Sequence, residues 1–123
     1  MENTTRNIAP MKLEMLLAIV QQSKAKYFSS IIQAHQANIQ LSMPAKGTSH
    51  LILNYLGLSE KAKTLILSIV RADEAQALIT ELDDTFKKGR EYKGVAFTVK
   101  LTSVIGTLVY GFLANDQRAV KED

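Results

Sequence analysis

The stretch LILSIVRADEAQALITELDDTF, residues 65–86, decides the fold. Its first six residues alternate between two nearly apolar sides, which is typical of a strand covered on both faces: Leu65, Leu67 and Ile69 on one side, and Ile66, Ser68 and Val70 on the other. Asp73 and Gln76 then resemble a capping box at a helix start. Apolar residues follow at helical spacing: Ala75, Leu78, Ile79, Leu82 and Phe86. The stretch therefore predicts a strand followed by an amphipathic helix.

The same pattern occurs fifty positions earlier. In this alignment Leu17, Ile19, Val20, Ala25, Phe28 and Ile32 correspond to Leu67, Ile69, Val70, Ala75, Leu78 and Leu82. A first strand is expected from Lys12 to Val20, followed by a helix that Ser23 caps and that ends near Asn38, since Asn tolerates the left-handed conformation. The repeat indicates two βαβ halves.

Each half needs one more strand. Ile39, Leu41 and Met43 alternate with polar residues and predict a strand that stops around Pro44. Gly89 is expected to end the second helix and Gly94 to open the last strand. In that strand Val95, Phe97, Val99 and Leu101 point one way, and Ala96, Thr98, Lys100 and Thr102 the other. Asp83 with Lys87 and Asp84 with Lys88 are expected as exposed i, i+4 ion pairs.

These elements predict an α+β fold: a ferredoxin-like β-α-β-β-α-β sandwich, with a four-stranded antiparallel sheet and two helices on one face. We expect the opposite face to carry Leu16, Ala18, Val20, Ile66, Val70 and Ala96, among Ser42, Ser68 and Thr98. Such a face is too apolar to stay fully exposed to water, so we expect copies of the chain to associate through it. The pattern alone is compatible with a dimer or a trimer.

Composition restricts the class of protein. With 123 residues, 46% of them apolar, the chain can fill one core. We expect one domain at 11–114 between flexible tails at 1–10 and 115–123. The absence of cysteine suits a reducing compartment and predicts a cytoplasmic protein. The longest apolar run, Met15 to Val20, is six residues, whereas a membrane-spanning helix needs about twenty. A net charge of +3 without an arginine-rich helix does not favour nucleic-acid binding.

The order of elements, the long connection after the second strand and the segment KGREYKGVAF, residues 88–97, together resemble the nitrogen regulatory PII signalling family. The likeness covers roughly Met11 to Gly106. The resemblance implies a homotrimer whose sheets pack inward and whose small-molecule effectors, such as adenine nucleotides, lie in clefts between subunits. It also implies regulation of a protein target without catalysis.

The resemblance assigns ligand contacts to two segments. One comprises Lys88, Gly89, Arg90, Lys93 and Gly94, and the other comprises Lys46, Gly47 and Thr48 at the base of the connection 45–61. The chemistry is reasonable, because glycines let the backbone approach an anion while Lys and Arg neutralise its charge. The simpler interpretation is that Gly89 caps the second helix and that the neighbouring cations complement the helix dipole.

The chain departs from the family pattern. Tyr92, Lys93 and Val95 replace a glycine, an acidic residue and a lysine, and the stretch 102–106 lacks the two arginines that follow the last strand in the family. These differences favour an effector that is smaller or less charged than ATP. No cofactor is assigned with certainty; an adenine nucleotide or another small anion is the expected ligand.

Two other functions stay open from sequence. A metal-responsive trimer resembling the divalent-cation tolerance proteins shares this architecture, and so does a small ferredoxin-like enzyme. His35, on the first helix stripe, and His50, in a loop, have no spacing that indicates a dyad or a metal site. No catalytic and no metal-binding residue is therefore assigned. In the connection, 49–57 is expected to form a short helix in which Tyr55 packs rather than carries a modification.

Overall fold

The computed structural model describes residues 12–37, 39–45 and 62–105. The chain forms β1 (Leu13–Gln21), α1 (Ala25–Gln33), β2 (Ile39–Ala45), β3 (Lys63–Arg71), α2 (Ala72–Phe86) and β4 (Gly94–Lys100). Single turns of 3-10 helix, Gln22–Lys24 and Arg90–Tyr92, precede α1 and β4. This order confirms the predicted β-α-β-β-α-β arrangement. The predicted tails and the expected helix at 49–57 lie outside the described residues.

The four strands form one sheet in the order β2-β3-β1-β4, and every neighbouring pair is antiparallel. The two strands of the internal repeat, β1 and β3, therefore lie side by side in the centre, where Leu17 is opposite Leu67. Pro44 lies in the edge strand β2, so its missing N–H removes no hydrogen bond from the centre of the sheet. The predicted antiparallel sheet is confirmed.

Both helices cover one face of the sheet, and the core lies between them and the central strands. Its members are almost inaccessible to solvent: Leu16, Ala18, Val20, Ile66 and Val70 from the sheet, with Phe28, Ile32, Leu78 and Leu82 from the helices. The expectation that the sheet residues of this group face away from the helices is therefore wrong. Alternation shows which residues share a face, but it could not show which face the helices cover, because both sets are apolar.

The open face of the sheet carries the other set of residues. Strand register aligns them in three rows of four, all apolar: Ile39, Ile69, Met15 and Val99; Leu41, Leu67, Leu17 and Phe97; Met43, Leu65, Ile19 and Val95. The edge-strand members are the most accessible, with Leu41 54% and Phe97 47% exposed. The open face is thus more apolar than the sequence analysis expected.

The size of this face can be worked out from sheet geometry. Four strands about 4.8 Å apart, with rows about 7 Å apart along each strand, give a surface on the order of 400 Å². Contiguous apolar patches of several hundred Å² on a folded domain mark interaction sites. The association of copies through this face stays a prediction, and the residues that would take part in it are a different set from the one the sequence indicates.

The predicted side-chain caps do not form at either helix. Ser23 lies in the 3-10 turn, and Lys24 at the start of α1 makes no side-chain capping bond. Arg71 precedes α2, and its guanidinium donates to the Asp73 carboxylate at 3.0 and 2.7 Å. Asp73 is therefore occupied by a neighbouring cation instead of the helix backbone.

The helix ends also differ in detail from the prediction. Gln36, with a φ of 64°, takes the left-handed conformation after α1, two residues before the expected Asn38, which is outside the described residues. At the end of α2, Lys87 pairs with Asp83 at 3.1 Å as predicted. Lys88 does not pair with Asp84; its ammonium donates to the Tyr27 hydroxyl at 2.8 Å. Neither helix in the described part of the chain is long and apolar enough to cross a membrane.

Candidate anion site at one end of the sheet

The two predicted ligand segments start from the same end of the sheet. Ala45, the last residue of β2, is opposite Lys63, which is also opposite Gln21. In the next pair of strands Val20 is opposite Gly94. β2 therefore ends, and β3 begins, at the end of the sheet where the basic loop 88–93 enters β4. Lys46, Gly47 and Thr48 themselves lie outside the described residues.

The loop 88–93 is built by local backbone hydrogen bonds. The amides of Lys87 and Lys88 donate to Asp84 and Thr85 and finish α2, and the Tyr92 amide donates to the Gly89 carbonyl at 3.1 Å. Gly89 follows the helix by three residues, in an extended conformation with φ 169° and ψ 178°. It is therefore not the left-handed cap of α2, and the expectation that it ends the helix is wrong.

Gly94 has a packing role that needs no ligand. A β-carbon at this position would lie 2.6 Å from the Ile19 carbonyl oxygen and 2.8 Å from a ring carbon of Phe86. Glycine is required because β1 and α2 approach the backbone here more closely than any side chain allows. The ligand contact predicted for Gly94 is thus not needed to explain the residue.

Two tyrosines and two lysines form a cluster beside the loop that the sequence analysis did not find. The rings of Tyr27 and Tyr92 meet edge to face, with 5.5 Å between centroids. Lys24 lies over the Tyr92 ring at 4.7 Å, and Lys88 lies over the Tyr27 ring at 5.4 Å. We call these four residues the tyrosine–lysine cluster. Tyr27 comes from α1 and Tyr92 from the loop, so no pattern along the chain could have brought them together.

The charges at this end of the sheet are largely unneutralised. In the part of the chain that the structure describes, Lys24, Lys88, Arg90 and Lys93 make no ion pair, whereas the neighbouring Lys87 does. The hydrogen bond to the Tyr27 hydroxyl holds the pKa of Lys88 above its ordinary value. The ammonium groups of Lys24 and Lys88 lie over aromatic rings, which leaves their charge available to an anion.

Lys63 adds a buried cation nearby. It is only 4% exposed, lies between Ala45 and Gln21 in the sheet, and is not without a partner. The sequence does not indicate this burial, because a lysine at the start of a strand is ordinarily exposed.

A groove of about 430 Å³ lies between α2 and β4, and Gly94 is one of its lining residues. Its lining is mostly apolar and contains no cation: Gln76, Ile79, Thr80, Leu82, Asp83, Phe86, Gly94, Val95 and Ala96. Of the predicted ligand residues within the described ranges, Gly94 alone lines it. With Asp83 as its charged lining residue, this groove does not suit an anion.

His35 lies just after α1, with its two ring nitrogens 3.1 Å from a Glu74 oxygen and 2.8 Å from a Glu81 oxygen. Both nitrogens are therefore engaged and neither is free to bind a metal. Among the described residues no group of three His, Cys, Asp or Glu side chains is arranged to hold a metal ion. His50 lies outside the described residues.

Comparison with known proteins identifies the fold. No protein-family model and no curated protein matches the sequence. Solved structures do match, among them CPII of Thiomonas intermedia K12 bound to ADP, AMP and acetate, at a TM-score of 0.59 and 14% identity over 78% of this chain and 94% of that one.

CPII, a nitrogen regulatory PII-like protein, also matches in a complex with ADP, AMP and bicarbonate (TM-score 0.53, 13% identity, 76% and 97% coverage). CutA of Synechococcus elongatus PCC7942, complexed with Bis-Tris, matches at a TM-score of 0.60 and 14% identity over 86% of this chain and 94% of that one. The chain therefore has the ferredoxin-like fold of PII-like proteins and CutA, which confirms the predicted architecture.

Proposed function

We propose that this chain is a non-enzymatic, PII-like regulatory protein of the cytoplasm. It assembles as a homotrimer through the open face of its sheet and binds a small anion, such as an adenine nucleotide or bicarbonate, in clefts between subunits. Binding orders the connection 45–61 and changes the affinity for a protein target. The observation that carries the proposal is the set of unpaired cations beside an apolar sheet face that needs covering.

Sheet geometry favours a cleft between subunits over a site within one. Ala45 and Gly94 lie at the same end of the sheet but on opposite edge strands, with β3 and β1 between them. Three strand spacings separate them, which is about 14 Å. An ion of the size of bicarbonate or phosphate cannot contact Ala45 and Gly94 of one chain at the same time at this distance. Two adjacent subunits can supply one segment each.

The ligand class follows from the charges. Lys88, Arg90 and Lys93 come from one short loop, and Lys24 is held over the Tyr92 ring beside it. Guanidinium and ammonium groups bind phosphate and carboxylate oxygens through charge-assisted hydrogen bonds. Tyr27 is 39% accessible, so part of its aromatic ring is open to contact with a base. CPII, with the same fold, is bound to ADP and AMP with acetate or bicarbonate.

The experiment is a thermal-shift and calorimetric screen with ATP, ADP, AMP, bicarbonate and phosphate. A ligand that binds the folded state raises its stability, by about 2.7 kcal/mol at a hundred times its Kd. Arg90→Ala should weaken the binding about tenfold or more, because a hydrogen bond to a charged group contributes about 1.5–3 kcal/mol. Lys87→Ala removes the same charge from a residue already paired with Asp83 and should leave the affinity nearly unchanged.

The proposal is wrong if none of these anions stabilises the protein, or if Lys87→Ala weakens binding as much as Arg90→Ala. Turnover of a bound nucleotide during the assay would support the small-enzyme alternative instead.

The fold likeness to CutA keeps a metal-responsive trimer as the second candidate. It would need ligands from outside the described ranges, because within them no three His, Cys, Asp or Glu side chains are arranged to hold a metal ion. A Cu²⁺ or Zn²⁺ thermal shift larger than that of any anion would favour it.

A further inference from the structure

His35 connects two parts of the fold through both sides of its ring. Nδ1 lies 3.1 Å from Glu74 Oε1 and Nε2 lies 2.8 Å from Glu81 Oε1, and the side chain is 14% exposed. Glu74 and Glu81 are seven residues apart on α2, so they lie on one face of the helix two turns apart. The imidazole therefore spans the gap between two carboxylates that belong to the same helix.

This geometry requires a protonated ring. A neutral imidazole has one N–H and can donate to only one of the two carboxylates, whereas an imidazolium donates to both. Glu74 and Glu81 are the charged groups that act on the ring, and Glu81 also faces Lys88. Burial lowers the pKa of His35, but the hydrogen bonds to Glu81 and Glu74 and their charges outweigh it, so the pKa lies above 6.5.

The residue that follows His35 takes a conformation that needs support. Gln36 has a φ of 64°, a backbone conformation that residues other than glycine adopt only at a cost in free energy. The turn is closed by two backbone bonds, His35 N–H to the Ile32 carbonyl and Gln36 N–H to the Gln33 carbonyl, both 3.1 Å. Soon after it, β2 starts at Ile39, whose carbonyl accepts a hydrogen bond from Ser68. The contact of His35 with α2 therefore holds the turn that sets where β2 begins.

We propose that His35 is a proton-operated clip: in its protonated form it fastens the turn between α1 and β2 to α2, and loss of the proton releases that turn and the first residues of β2. The inference is independent of the proposed ligand and trimer, since every group involved belongs to one subunit.

The pH dependence has a defined sign. The folded pKa of His35 is raised above the unfolded value of about 6.5, so the folded state holds the proton more tightly. The stabilisation is complete below the unfolded pKa and is lost as the pH rises through the folded pKa.

The test is an NMR titration of the His50→Gln variant, in which His35 is the only histidine. The imidazole signal should titrate above pH 6.5, and the backbone amides of residues 36, 37, 39 and 40 should shift with the same midpoint. Glu81→Gln, at an exposed position, should move the midpoint of the imidazole titration and the midpoint of the amide shifts to lower pH by the same amount. Asp83→Asn, on the same helix but away from the ring, should move neither.

A His35 midpoint at or below 6.5 would overturn the proposal, because the two carboxylates would then not favour the imidazolium. Amides of the turn and of early β2 that do not follow the imidazole titration would overturn it as well, since His35 would then be protonated without controlling the turn.

Discussion

The substitution Phe97→Lys tests the open face of the sheet most directly. Phe97 ends the central row, Leu41, Leu67, Leu17 and Phe97, and is 47% exposed in the single chain. An aromatic side chain has about 200 Å² of surface that can be buried, so the exposed 47% of Phe97 leaves about 90 Å² to be buried on association. At about 25 cal/mol per Å² this contributes about 2 kcal/mol per subunit. The cost of placing an ammonium in an apolar interface adds to this value.

For a trimer the loss is at least about 6 kcal/mol. Each 1.4 kcal/mol is a factor of ten in the dissociation constant, and the constant of a trimer scales with the square of the midpoint concentration. We therefore expect the concentration of half-assembly to rise by a factor on the order of a hundred. The folded monomer should survive, since lysine is common on edge strands such as β4 and its stem can cover the position that the ring leaves.

The assay is sedimentation velocity over a concentration series, with circular dichroism to show that the variant is folded. Ile105→Lys is the matched control, because it makes the same change at a position that is 91% exposed and outside the sheet. A wild-type protein that stays monomeric at high concentration would refute the reasoning. A folded Phe97→Lys variant that assembles like wild type and like Ile105→Lys would refute it equally.

Three further predictions concern stability and can be measured by urea denaturation at a fixed protein concentration. Gly94→Ala should lower the free energy of unfolding by about 1–3 kcal/mol, because its methyl group would press on the Ile19 carbonyl and the Phe86 ring. Gly89→Ala should leave it nearly unchanged, since the added β-carbon would meet only a Tyr92 carbon at 3.9 Å. Equal losses in the two variants would contradict the packing role of Gly94. Ser68→Ala should cost about 1 kcal/mol through the loss of the 2.7 Å bond to the Ile39 carbonyl, and an unchanged stability would show that this bond contributes nothing. Asp83→Asn should change the stability by less than about 0.5 kcal/mol, since both partners of its ion pair with Lys87 are exposed; a larger loss would mean that the pair is more than a surface contact.

The candidate site was only partly predictable. Lys88, Arg90 and Lys93 are adjacent in the chain, so their shared charge is visible in the sequence. The tyrosine–lysine cluster and the clip at His35 join residues that are far apart in the chain, such as Tyr27 with Lys88 and His35 with Glu81. Nothing in the periodicity of either segment indicates such a contact, because it depends on how α1 and α2 lie on the sheet.

The sequence by itself determined the order of the elements, the antiparallel sheet and the presence of a second apolar face, because hydrophobic periodicity is a local property that burial imposes on each strand and helix. Tertiary structure alone decided which set of strand residues the helices cover, since Leu16 and Leu17 are equally apolar and only helix packing distinguishes them. It also decided that Gly94 is needed for close packing and that His35 faces two carboxylates. Both depend on distances between elements, which one-dimensional patterns do not contain.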